Sequence, residues 1–205
     1  MKKMLRDAFI LLVITLVAGL CLGFVYEVTK GPIAAQKEKA KTEAYLEVFQ
    51  EAASFEADPD FSSDQIQNAL NEAGLTEVSV QEVMLALDQN KTMLGYVVTV
   101  VSHEGYSGNI TFSVGIKNDS TVNGISILSI SETAGLGMKA NTEEFKSQFA
   151  GVNTSRFEYT KSGASADNQI DAISGATITT NAITNGVNAA LEYCNLMIQG
   201  GGQDE

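Results

Sequence analysis

Basic residues, histidine and cysteine are all scarce in this 205-residue chain. Lysine and arginine number 13 against 25 aspartates and glutamates, for a formal net charge of -12. Nucleic acid is excluded as a partner, because phosphate binding needs a concentrated basic face. The one histidine, His103, has Glu104 beside it but no serine or cysteine nucleophile in a recognisable setting. No catalytic triad is expected, and no catalytic residue is assigned. Cys21 and Cys194, the only cysteines, stand at unrelated positions. A disulfide framework and a cysteine-rich zinc or iron-sulfur site are therefore both excluded, and no metal ligands are expected. Redox chemistry would need another cofactor.

What the chain does have is a charge-free apolar run, AFILLVITLVAGLCLGFVY, from Ala8 to Tyr26. About 20 apolar residues cross a hydrocarbon core of roughly 30 Å. Lys2, Lys3 and Arg6 precede the run, and the charges just after it, Glu27 to Lys30, balance. The positive-inside rule then puts residues 1–7 in the cytoplasm and the rest of the chain on the outer side of the membrane. A cleaved signal peptide is the competing reading. No small-x-small site closes the run, which also exceeds the usual signal core, so an uncleaved anchor at 8–26 is expected. Beyond it, ten basic residues face 24 acids, a net charge near -14. Such acidity keeps a domain soluble and away from anionic lipid.

Residues 27–74 read as a stalk and helical segment. Ile33 to Phe55 has helical composition, with Pro32 near its start. ADPDFSSDQ breaks the pattern, and Ser63 to Ala73 forms a short helix ended by Gly74. From Glu77 to Ser131 four segments rich in Val, Ile, Thr and Tyr alternate between hairpin-type breaks, which predicts an antiparallel meander of about four strands. NTEEFKSQFA follows as a short helix, with Asn141 as N-cap and Glu144 completing a capping box. Thr177 to about Ile198 carries the three- and four-residue spacing of an amphipathic helix, with Cys194 on its apolar stripe and Gly186 costing it about 1 kcal/mol. Residues 199–205 are expected to be a flexible tail. The fold class is α+β: an anchor helix, then a domain at 75–198 with an antiparallel sheet and flanking helices.

Two glycine-containing stretches remain: SETAGLGMKA (Ser131 to Ala140) and DAISGATITT (Asp171 to Thr180). Gly135 and Gly137 suit a plain turn between strand and helix as well as they suit a loop that holds a ligand. In the second stretch, Gly175 and Ala176 bring backbone close to an approaching group, just where a helix begins with unpaired N–H groups that favour an anion. Capping by Thr177 explains the same residues without a ligand.

Asp171-Ala-Ile-Ser-Gly-Ala-Thr177 resembles the flavinylation motif of FMN-binding domains, Asp-x-x-Ser/Thr-Gly-Ala-Thr, in which a flavin transferase esterifies the last threonine with the phosphate of FMN. The likeness extends to the anchor, to GYSGNITFSVGI at Gly105 to Ile116, and to the turn from Ile130 to Gly137. Together these resemble the G-subunit family of Rnf ion-translocating electron-transport complexes. The C subunit of the sodium-translocating NADH:quinone reductase shares the motif but usually has a longer chain. The resemblance implies covalent FMN on Thr177, with Asp171, Ser174, Gly175, Ala176 and Thr177 read by the transferase. It also implies that Glu132, Thr133 and Leu136 lie against the isoalloxazine ring, with Lys161 near the flavin. Ala134 departs from the proline of many members and leaves that loop freer. Thr179 and Thr180 are expected to serve the first helical turn.

The implied function is electron relay within a membrane complex coupling electron flow between ferredoxin and NAD to ion transport, in contact with other membrane subunits. Alternatives are an FMN-binding subunit of a different extracytoplasmic reductase or of the sodium-translocating NADH:quinone reductase, and an anchored non-redox binding domain in which Thr177 is only a cap.

Overall fold

The computed structural model describes residues 2–200, with side chains to residue 197. It divides into two units, Met1–Thr42 and Glu43–Glu205.

The first unit is the greater part of helix α1, Lys2–Val48. Among the described residues α1 is the one helix long and apolar enough to cross a membrane, with a window of mean hydropathy 2.8. Within the apolar run the Thr15 hydroxyl donates to the Leu11 carbonyl at 3.0 Å, which satisfies a polar group that lipid could not. The stalk helix read at 33–55 is one with the anchor helix: it is continuous through Pro32 and stops at Val48, seven residues short of Phe55. Ala53 N–H instead bonds to the Leu87 carbonyl at 2.8 Å and opens strand β1, Ser54–Ala57. Pairing with a sheet edge has taken these residues from the helix.

In the second unit β1 is followed by α2 (Ser63–Glu72), β2 (Val78–Leu87), β3 (Met93–Ser102), β4 (Ile110–Lys117) and β5 (Thr121–Ser129). Next come α3 (Glu143–Lys146), β6 (Val152–Asn153), β7 (Glu158–Thr160), β8 (Gln169–Asp171) and α4 (Thr177–Gly200). The predicted meander is β2 to β5, and β1 and β6 extend it to a six-stranded antiparallel sheet in chain order. β7 and β8 form a separate parallel pair. Gly74 ends α2 at φ +77°, as its position suggests.

Both faces of the sheet are covered. One packs on α2 and α4 through Val98, Val100, Phe112, Val114, Ile183 and Val187. The other takes the end of α1, where Tyr45, Val48, Phe49 and Ala52 cluster with Ala86 and Val97. Glycines let the backbone approach there: a Cβ on Gly115 would stand 2.8 Å from Val48 Cβ. Asn123 donates to the Val48 carbonyl, and Glu47 takes Ser126 Oγ and Lys146 Nζ, fastening this end. Double coverage is why β3 reads MLGYVVTVVS, apolar nearly throughout instead of alternating. The core of the second unit therefore includes Ala44, Tyr45, Val48, Phe49, Ala52, Ile66 and Leu70, well before residue 75.

Two local expectations are corrected. The capping box does not form: Asn141 belongs to a 3-10 turn, Gly137–Asn141, and Thr142 occupies the N-cap of α3 without a side-chain cap bond. The Thr142 hydroxyl is engaged by the Lys139 carbonyl at 2.7 Å. The helical part of the expected 141–150 segment is only four residues, flanked by 3-10 turns. At the other end, α4 continues through residues 199 and 200, and the remainder of the expected tail, 201–205, lies outside the described residues. Cys194 is buried, as its stripe position requires. Gly186 has a packing reason, since a Cβ there would meet Phe112 Cζ at 2.4 Å.

Candidate functional site

Strand β8 ends at Asp171 and delivers the chain into a tight turn. Ala176 N–H bonds back to the Ile173 carbonyl at 2.9 Å, and Gly175, third in the turn, has φ +78°. That is a type II turn, whose third position needs glycine. Space is also close here, since a Cβ on Gly175 would come 3.1 Å from Leu136 Cδ2 and that side chain would have to shift by a few tenths of an ångström. The first intrahelical bond of α4 runs from Thr180 N–H to the Ala176 carbonyl at 3.0 Å. Ala176, which has no hydroxyl, thus holds the N-cap position, and Thr177 is the first residue of the helix. The capping role considered for Thr177 is absent. Its side chain is half-buried, and among the described residues its hydroxyl makes no hydrogen bond.

The facing wall is the glycine loop after β5. Leu136 N–H and Met138 N–H both bond to the Thr133 carbonyl, at 3.1 and 3.2 Å, around Gly135 at φ +78°. Gly137 is wedged tightly: a Cβ there would stand 2.7 Å from both Glu132 Cβ and Thr179 Oγ1. Glu132 is only 7% exposed, and its Oε1 accepts the Ser107 N–H at 3.3 Å. Glu132, Thr133, Leu136 and Gly137 from this loop face Gly175, Ala176, Ile178 and Thr179 across a cleft of about 330 Å³, with Tyr106 as a third side. Ligand sites usually run from roughly 300 to 1,000 Å³.

Of the residues expected at the site, Glu132, Thr133, Leu136, Gly175 and Ala176 line this cleft, and Thr177 lies between lining residues on either side. Ser174 and Asp171 belong instead to a second groove of about 320 Å³ that also contains Lys139. Asp171 is engaged in local structure: its Oδ1 accepts Ala164 N–H at 2.6 Å and its own N–H donates to Gln148 Oε1 at 2.7 Å. Lys161 sits exposed in the loop after β7 and is not among the cleft residues. Sequence reasoning missed Tyr106, Gly137, Ile178 and Thr179. The spacing of Ile178 and Thr179 from Gly175 was available as a signal, whereas Tyr106 is brought in only by the hairpin between β3 and β4.

The FMN-binding domain model matches residues 105–192, and the model of the RnfG N-terminal region matches residues 1–48. The G subunit of the Na(+)-translocating ferredoxin:NAD(+) oxidoreductase complex of Acetobacterium woodii is 32% identical over 198 residues, spanning 95% of this chain and 94% of its own. The chain belongs to the Rnf G-subunit family. The G subunit of the ion-translocating oxidoreductase complex of Methanosarcina acetivorans is 30% identical over 193 residues, with 94% and 95% covered. The solved C subunit of the Na(+)-translocating NADH-quinone reductase of Parabacteroides distasonis is 17% identical, covers 75% of this chain and 83% of its own, and superposes with a TM-score of 0.47.

For this Rnf G-type chain the matched FMN-binding region contains both walls of the cleft and the whole motif. The residues present fit FMN. Gly137 and Gly175 keep both walls close without side chains, Leu136 and Ile178 offer apolar surface, and Glu132 and Thr179 offer polar atoms in the lining. The first-turn N–H groups of α4 suit a phosphate beside Thr177.

Proposed function

We propose that this chain is a membrane-anchored electron carrier holding FMN through a phosphoester on Thr177, within a complex that couples electron transfer between ferredoxin and NAD to ion transport. The observation that carries the reading is the unpartnered Thr177 hydroxyl at the start of α4, flanked by residues that line the cleft.

Bound FMN supplies one- and two-electron steps. The protein's part is retention, orientation and shielding. Attachment forms a Thr177 Oγ–P bond while a phosphoanhydride bond of a flavin dinucleotide breaks; the nucleoside monophosphate leaves, and the hydroxyl proton passes to the transferase. Unpaired N–H groups in the first turn of α4 stabilise the phosphodiester charge. Gly137 packs the glycine loop directly onto Glu132 and Thr179, and Leu136 and Ile178 would offer apolar surface to a flavin held beside Thr177. A covalent bond keeps the cofactor at fixed local concentration on the outer side of the membrane, where a dissociable flavin would be diluted. Asp171 through Thr177 serve as the sequence read by the flavin transferase. Lys161, exposed in the loop after β7, is a further candidate contact to the flavin.

Residues 8–26 are the single membrane span, residues 1–7 are cytoplasmic, and the FMN domain, which we extend back to Glu43, is extracytoplasmic. Other membrane subunits of the complex are its electron partners.

The test is co-expression with a flavin transferase, followed by flavin fluorescence on a denaturing gel. Wild type is expected to fluoresce and Thr177→Val to be dark yet folded. A dark wild type, or a bright Thr177→Val, refutes the assignment.

A further inference from the structure

A helix start usually relies on its N-cap side chain, and in α4 that side chain is missing. Ala176 stands there, so no cap oxygen meets the free N–H groups or ties down the preceding turn. A residue inside the helix does the tying. The Thr180 hydroxyl, fully buried, accepts the Ile173 N–H at 3.0 Å and donates to the Ala176 carbonyl at 3.1 Å. One oxygen therefore clasps both ends of the turn Ile173 to Ala176. Thr184, one helical turn further, is also buried but makes only the ordinary back-bond, to the Thr180 carbonyl at 2.9 Å.

We propose that Thr180 is the positioning residue for flavin attachment: by closing the Ile173–Ala176 turn from within the helix, it leaves the Thr177 hydroxyl unpaired and presented to the transferase. This rests on the reading of Thr177 as the FMN acceptor. A capping threonine would have its oxygen committed to backbone N–H groups. Moving the duty to Thr180 separates the residue that holds the loop from the residue that reacts. It also explains why the neighbouring hydroxyl is not an acceptor, since the Thr180 oxygen is buried with its proton already given to Ala176. Removing it strands the Ile173 N–H in a buried place, and the turn opens to regain a partner.

The experiment uses the full chain in detergent with purified transferase and flavin adenine dinucleotide. Incorporation is read as kcat/KM from in-gel fluorescence, alongside the thermal midpoint and the hydrogen exchange of the Ile173 amide. Thr180→Val is expected to lower incorporation at least about tenfold and to speed Ile173 exchange. Thr180→Ser restores both to within about threefold of wild type. Thr184→Val, which also deletes a buried hydroxyl from α4, leaves both at wild-type values whatever its midpoint. Incorporation by Thr180→Val at the wild-type rate overturns the proposal, as does equal slowing by Thr184→Val. If Thr180→Val does not fold, Thr180→Cys replaces it, and any order other than Thr and Ser above Cys overturns it too. A wild type that takes no flavin defeats the reading of Thr177 instead; unchanged Ile173 exchange in Thr180→Val then defeats the clasp independently.

Discussion

Substituting Gly137 with alanine adds one methyl at the tightest point of the cleft. Its Cβ would stand 2.7 Å from Glu132 Cβ, 2.7 Å from Thr179 Oγ1 and 2.8 Å from Glu132 Oε2. Ordinary carbon contacts begin near 3.5 Å, so neighbours must retreat by about 0.8 Å. Neither can do so cheaply. Thr179 sits in the first turn of α4, and Glu132 follows β5 by three residues with its Oε1 accepting the Ser107 N–H. Overpacking of this kind costs about 1–3 kcal/mol. For a domain of this size that lowers the thermal midpoint by roughly 3–9 °C. The methyl also displaces the Glu132 carboxylate within the cleft, so bound flavin should be more accessible to a soluble quencher such as iodide. Gly135→Ala is the comparison: its Cβ meets nothing within 4 Å, and only its φ of +78° resists alanine. That variant should lose about 1 kcal/mol while quenching stays at the wild-type level. Equal quenching by Gly137→Ala and wild type, or a midpoint no lower than that of wild type, would refute the close packing of Gly137 against Glu132 and Thr179.

Gly186→Ala gains about 1 kcal/mol of helix propensity but drives a methyl to 2.4 Å from Phe112 Cζ, so a net loss of about 1 kcal/mol is expected in urea unfolding. Phe112→Leu in the same chain should recover part of it by opening the space. At the β2–β3 hairpin, N–H groups of Thr92 and Asn90 hold the Asp88 carboxyl below its ordinary 3.8. A depressed carboxylate stabilises above its unfolded value and stops doing so as pH falls through its folded one. The gap between wild type and Asp88→Ala in urea unfolding should therefore be full at neutral pH and close below about pH 3.8. For orientation, Asp167→Cys should react with a membrane-impermeant thiol reagent on intact cells and Lys3→Cys should not; the reverse pattern overturns the assigned topology.

Strands β2 to β5 were legible because each is a β-branched run bounded by hairpin residues. α1 misled at its end because Phe49, Ala52 and Phe55 suit a helix stripe and a sheet contact equally. Bonding of Ala53 to β2, a partner more than thirty residues away, decided the outcome. β6 to β8 are two or three residues each, too short for any period to show. At the site, the motif was found by resemblance, and the glycine loop opposite it was found as a turn. That the two loops face each other depends on how α4 crosses β2, β3 and β4, a long-range arrangement that no local pattern encodes. Asn141 illustrates the same limit at short range, since a preceding 3-10 turn moved the true N-cap on by one residue.

The contact of Gly186 with Phe112 lies nine residues along α4 from Thr177, or about 13 Å up the helix axis. There the ring of a fully buried phenylalanine sits in the notch where a side chain would otherwise be. A helix notched in this way has one seating on the sheet; advancing it by a turn would put Ala190 or Ala182 over the ring and close the notch. The depth of the cleft is thus indexed from a point remote from it. Chimaeras that transplant only DAISGATITT into another sheet would carry the motif without the index, and Thr177 would come to rest at whatever height the new host's helix allows.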